Sequence, residues 1–368
     1  MLFVPGLEVS RALYTDAVGP VLRERFPGTH HAAGLVDGGS EVLGFDTARS
    51  MDHSWGARLQ VFLPDDAGPT EAEEVEAVIG AALPREVRGI PARFAAQDDS
   101  IHGVADPEGL RHGVAVVPFG TWLRGHFGFD PRDGLTAADW LGVPAQLLAV
   151  ATGGAIFHDG LGPAGPTRLR ERLAWYPDDV WRHVLAAQWT RIGQEEPFVG
   201  RCGEVGDELG SAVVGARLAR DHMRLAMLLA RRYPPYPKWL GTAFARTPGP
   251  ARLGDELAAA LAATEWRGRE RHLVAAAGIN AAATNASGLG ARAVDPTPRP
   301  FHDRPFTVLD GERYAAALRD AITDPVVRGL PPTGAVDQWV DSTDVLSHAT
   351  RSRGATRGLL GEGHPNDR

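Results

Sequence analysis

Lysine is almost missing from this chain. Of 38 basic residues among 368, one is lysine, Lys238, and the others are arginine. Enrichment in alanine, glycine and arginine fits a GC-rich coding bias that exchanges Lys for Arg wherever Arg is tolerated, which singles out the one Lys that stays. Cysteine is as scarce. The single Cys202 excludes an intrachain disulfide framework and accords with a reducing, cytoplasmic setting; beside Gly203 it reads as a small turn residue. No apolar run approaches the ~20 residues of a membrane helix, and the N-terminus has no basic stretch followed by an apolar one. No membrane association is expected. Net positive charge is lacking too: at −8 no global field draws the chain to nucleic acid.

What remains is an ordinary globular composition, 43% hydrophobic and 23% charged, with length for two or three domains. Helical spacing over 7–26, a short strand over 32–36, an apolar strand over 59–63 and a helix start at Pro69-Thr70 with acids through Glu76 come first. Strands over 90–96 and 114–117 follow. This order suits a mixed sheet with helices over residues 1–133. After Phe129-Asp130-Pro131 the pattern turns helical: 135–150, 169–175, 178–194, 207–233, 253–263 and 266–283, a helical domain over 134–290. Residues 291–350 form a C-terminal extension packed on it, with a Pro-rich strap at 296–305 and helices over 310–322 and 336–346. Residues 351–368, rich in Gly and Arg, read as a flexible tail.

The chain is organised around residues 36–63. Gly38, Gly39 and Ser40 make a tight turn whose backbone can approach a ligand closely. Its N–H groups and the Ser40 hydroxyl could cradle a triphosphate. Asp52 follows twelve positions after Ser40, just before the apolar strand, placed to hold a divalent cation against the same phosphates. Between them, Asp46 and Glu41 are further acids for Mg2+, which often takes one or two protein carboxylates and keeps its waters. Arg49 could meet a phosphate. The plain alternatives are a capping Asp52 and solvated loop acids. In Tyr233-Pro-Pro-Tyr-Pro-Lys-Trp239 the prolines stiffen the approach to a helix and would fix Tyr236 and Lys238 at its N-terminus. Asp207 reads as a helix N-cap, and His158-Asp159 as loop hydrogen-bonding residues or half of an acid–base pair.

Gly-Ser followed about ten residues later by Asp-x-Asp/Glu at a strand resembles the nucleotidyltransferase superfamily, with its polymerase-beta-like fold. The wording Gly-Ser…Gly-Phe-Asp-Thr…Ser-x-Asp-His is similar to a bacterial family, domain of unknown function 4037, the likeness running through Asn280 to Asp337-Gln338-Trp339. The resemblance implies an α+β protein: an N-terminal mixed sheet with helices, then an all-helical domain that covers the nucleotide site. It implies transfer of an NMP group from an NTP to a hydroxyl of a small molecule or protein acceptor, with Mg2+. Asp52 would be catalytic and hold the metal, joined by Asp46; Gly39, Ser40, Arg49, Tyr236 and Lys238 would bind the nucleotide. Two positions depart from the pattern. Ser54 stands where a second acid is expected, and Ala115 where a later strand should carry a third. The alternative is therefore a catalytically degenerate nucleotide- or ligand-binding module. A partner-binding scaffold, drawing on the nine tryptophans, is a third reading.

Overall fold

The computed structural model describes residues 3–52, 55–95, 110–249 and 251–361. In chain order the first elements are α1 (Gly6–Ala12), a π-helical turn (Leu13–Val18), α2 (Gly19–Arg25), β1 (Ala32–Leu35) and a 3-10 turn (Ser50–Asp52). Next come β2 (Arg58–Leu63), α3 (Pro69–Ala82), the short strands β3 (Glu86–Val87), β4 (Ile90–Pro91) and β5 (Arg93–Ala95), then β6 (Leu110–Pro118) and α4 (Phe119–Phe127). They are followed by α5 (Ala137–Gly142), α6 (Ala145–Thr152), β7 (Ala155–Asp159) and α7 (Pro166–Leu173). The long helices α8 (Asp178–Glu204) and α9 (Glu208–Leu229) precede α10 (Pro237–Ala245), α11 (Ala251–Ala262) and α12 (Trp266–Ala286). A two-residue ladder joins β8 (Arg299–Pro300) to β9 (Thr307–Val308). The last helices are α13 (Glu312–Asp320), α14 (Pro325–Arg328), α15 (Val336–Trp339), α16 (Thr343–Leu346) and α17 (Ala349–Leu359). The protein is α+β, as its pattern implied.

The chain forms two compact units: unit 1, Met1–Leu135 with Leu147–Ala174, and unit 2, Thr136–Gln146 with Trp175–Arg368. Unit 1 is built on a sheet of order β5-β6-β2-β1-β7, in which β2 and β6 are parallel and the other pairs antiparallel. Leu59, Val61, Leu63, Val114 and Val116 bury one face beneath Val9, Leu13, Leu22, Val75 and Ile79 of the helices. The alternation of a strand sends Arg58, Gln60 and Phe62 to the other face. The edge strand β7 lies in 134–290, which reads as wholly helical. It joins β1 through the turn at Gly154, whose φ is +61° and where a Cβ would collide with the Leu35 carbonyl oxygen. Only glycine closes the chain onto β1 so tightly.

Other differences have local causes. The strand expected over 90–96 is two short pieces broken at Ala92, with Ala96 outside the described residues. Helix α4 follows β6 directly and has no counterpart in the pattern read above. The helix expected over 135–150 divides at Val143-Pro144, because the residue before a proline is driven out of the α region; Val143 has ψ 119°.

In unit 2, α8 and α9 pack with α12 and α13. Trp189 stacks on Tyr314 at 4.6 Å between ring centres. The buried Gln338 donates to the Val184 carbonyl and to Gln188 Oε1 and accepts the Ala335 N–H. Residues 291–361 are integral to this unit. The tail expected from 351 is in its described part α17, with Ser352 and Thr356 buried and the nearly buried Arg353 paired to Asp139 at 2.9 Å.

Candidate functional site

β1 runs into the Gly38–Gly39–Ser40 turn, and the Ser50–Asp52 turn leads into β2. Because β1 and β2 are antiparallel partners, the end of β1, which runs into the glycine turn, and the start of β2 lie at the same end of the sheet. The side chain of Asp52, with His53 and Ser54, lies outside the described residues.

Beneath the turn is a buried ion pair. Arg58 Nη2 and Nε donate to Glu41 Oε1 at 2.7 and 3.2 Å, and Nη2 also donates to the Gly38 carbonyl at 2.6 Å. Gly39 sits at φ +138°, and a Cβ there would stand 2.5 Å from Arg58 Nη2 and 2.6 Å from Glu41 Oε2. The glycine is required because the backbone folds directly over this pair. Glu41 is 1% exposed and its Oε2 has no hydrogen-bond partner. Burial pushes the Glu41 carboxyl up, and Arg58 offsets only part of that. Ser40 is buried, its carbonyl accepting the Phe45 N–H at 2.8 Å.

Asp46 has a different set of contacts. Its Oδ2 accepts the Gly6 N–H at 2.7 Å and the Trp55 indole N–H at 3.0 Å. It satisfies a free N–H at the start of α1 from across the fold. Arg49 is exposed, with its N–H on Thr47 Oγ1. Ala115 pairs in register with Gln60, whose Oε1 accepts the Val36 N–H at 3.1 Å. Near the turn, Glu41 is thus paired through Oε1 with Arg58 and Asp46 through Oδ2 with two N–H groups, while the exposed Asp37 accepts the Gly38 N–H at 2.7 Å. Among the described residues no three His, Cys, Asp or Glu side chains gather as metal ligands.

The remaining residues singled out in the sequence lie as follows. In unit 2, Tyr236 is the N-cap of α10 and its hydroxyl accepts the Trp239 indole N–H at 2.7 Å. Lys238 is exposed, with Nζ 5.1 Å from the Trp239 ring centre. Asp207 caps α9 by accepting the Gly210 N–H at 2.7 Å. Asp159 accepts the N–H groups of Leu161 and Thr167, the loop role. His158 lies in a ring cluster, 4.5 Å from His31, whose Nε2 is 3.1 Å from the Tyr14 hydroxyl. Sequence reasoning missed Arg58 and Gln60. The signal was there, two polar residues alternating with Leu59 and Val61, but the segment reads first as a continuous apolar run.

No curated protein and no solved structure matches the chain. One family does match, over residues 140–240. That span omits the glycine turn and Asp52 and contains Tyr236 and Lys238. Over it the chain resembles the family described as Domain of unknown function (DUF4037).

Proposed function

We propose that unit 1 is a nucleotidyltransferase-like domain that binds a nucleoside triphosphate at the end of the sheet where the Gly38–Gly39–Ser40 turn and Asp52 meet. The supporting observation is the antiparallel pairing of β1 and β2, which puts the end of β1, before the glycine turn, beside the start of β2. The turn would contribute backbone N–H groups, and Arg58, paired with Glu41 beneath it, holds the turn in place through the Gly38 carbonyl. Asp52 is the one acid at a motif position. Transfer of an NMP group to a hydroxyl of a small-molecule or protein acceptor is the activity the resemblance implies.

The second reading is binding without transfer. Two observations favour it. Glu41 and Asp46 are committed to protein partners, and Ala115 stands beside an amide, Gln60, that is itself committed to β1. Incubation with labelled nucleoside triphosphates and Mg2+ or Mn2+ separates the readings: labelled product or self-labelling establishes transfer. Calorimetric binding of ATP with no turnover establishes the module. Absence of both removes the nucleotide reading.

A further inference from the structure

Unit 2 contains an open-sided cavity of about 630 Å3 among α9, α10, α11 and α12. Small-molecule pockets occupy roughly 300–1,000 Å3. Ala226 of α9 and Ala230 just past its end face it with Ala283 of α12, Phe244 of α10, and Leu253 and Gly254 of α11. Among the large apolar residues there, the small side chains at Ala226, Ala230, Ala283 and Gly254 leave the space open. None of the lining residues carries a charge. Nothing there would balance a phosphate or carboxylate, and such an ion would stay in water.

One polar group is built into the wall. Asn280 is 1% exposed. Its Nδ2 donates to the His222 carbonyl at 3.1 Å and lies 3.2 Å from His222 Nδ1. Burial keeps the His222 imidazole down at about 4, so it is neutral at physiological pH and Nδ1 can accept. Because the carbonyl can only accept, the amide orientation is set. Among the described residues the side-chain hydrogen bonds of Asn280 run through Nδ2; Oδ1 is left without a partner on a residue that lines the cavity. An acceptor held rigid in an apolar wall selects a ligand that brings a donor.

We infer that this cavity binds a neutral, mainly apolar small molecule carrying a hydroxyl or N–H group, which donates to Asn280 Oδ1. The site is independent of the nucleotide reading of unit 1.

The test uses the full chain and a neutral fluorescent probe with one N–H, N-phenyl-1-naphthylamine. Saturable, blue-shifted emission at one probe per chain is expected, with a rise in unfolding temperature on probe addition. The N-methylated probe, which lacks the donor, should bind about tenfold more weakly. Ala283→Phe fills the cavity and should weaken binding by more than about tenfold. Should that variant lose its helical circular dichroism, Gly254→Leu decides instead; a Cβ at Gly254 meets only Phe244 Cε1, at 3.7 Å. No saturable binding by the parent overturns the site. So does equal affinity in the parent and the folded cavity-filling variant. Equal affinity of the two probes overturns the role of Asn280.

Discussion

Replacing Arg58 by methionine is the sharpest test of how the glycine turn is held. Methionine keeps most of the length of the arginine stem but removes the charge and every donor. Two losses follow. Glu41, with a fully buried side chain, is left without a counter-charge, and breaking a buried pair in this way costs about 3–5 kcal/mol. The Gly38 carbonyl loses its 2.6 Å donor, about 1 kcal/mol more. Against a typical total stability of about 5–15 kcal/mol, Arg58→Met should shift the urea midpoint strongly. The loss should also depend on pH. The folded-state pKa of Glu41 already lies above its ordinary value because burial outweighs Arg58. Its favourable contribution is therefore full below the ordinary carboxylate range and is lost as pH rises through the folded value. Without Arg58 that folded value climbs further, so the variant should lose most at pH 7.5 and recover towards the parent at pH 5. Arg58→Met with Glu41→Gln removes the stranded charge and should regain most of the stability. Urea unfolding followed by circular dichroism at both pH values decides. A loss below about 1 kcal/mol, or one equal at the two pH values, would refute the buried-pair argument.

Three further outcomes are expected. Asp52→Asn should weaken ATP binding measured by calorimetry with and without Mg2+; identical affinities would take Asp52 out of the site. Lys238→Ala should change folding stability by less than about 1 kcal/mol, because the ammonium is exposed over one indole. Its effect on ATP affinity should be about 1.5–3 kcal/mol if a phosphate meets it, with Lys238→Arg restoring part; three superimposable titrations would exclude the residue. His183 is buried with Nε2 unpartnered, and burial holds its imidazole at about 4. A lowered histidine pKa contributes stability above about pH 6.5 that is lost as pH falls towards 4, so His183→Leu should flatten the decline of the urea midpoint over that window. A slope equal to the parent's would show that His183 is not what titrates.

Much of the architecture is legible from local pattern. The first helix, the strands at 32–35 and 58–63, the helix from Pro69 and the long helices of unit 2 each announce themselves through spacing, prolines or acids at a helix start. Those signals act within one or two turns of chain, where periodicity and backbone stereochemistry decide. Long-range pairing leaves no such mark. Nothing near 155–159 says that this segment completes a sheet begun at 32, and the α17 sequence, Ala-Thr-Arg-Ser-Arg-Gly, hides the burial of Ser352 and Thr356 against a partner helix.

The site divides the same way. The turn, its distance to Asp52, and the departures at Ser54 and Ala115 are properties of the sequence. What Glu41 and Asp46 do is decided by tertiary structure. As loop acids they are indistinguishable in sequence from solvated or metal-holding carboxylates, yet one is buried on Arg58 and the other binds Gly6 and Trp55. Gly39 likewise needs no ligand to explain it once Arg58 lies beneath it. Composition and spacing determine which conformations are cheap. The partners of a charge are set by which distant segments share a buried face, because a carboxylate removed from water binds whatever donors the fold brings there.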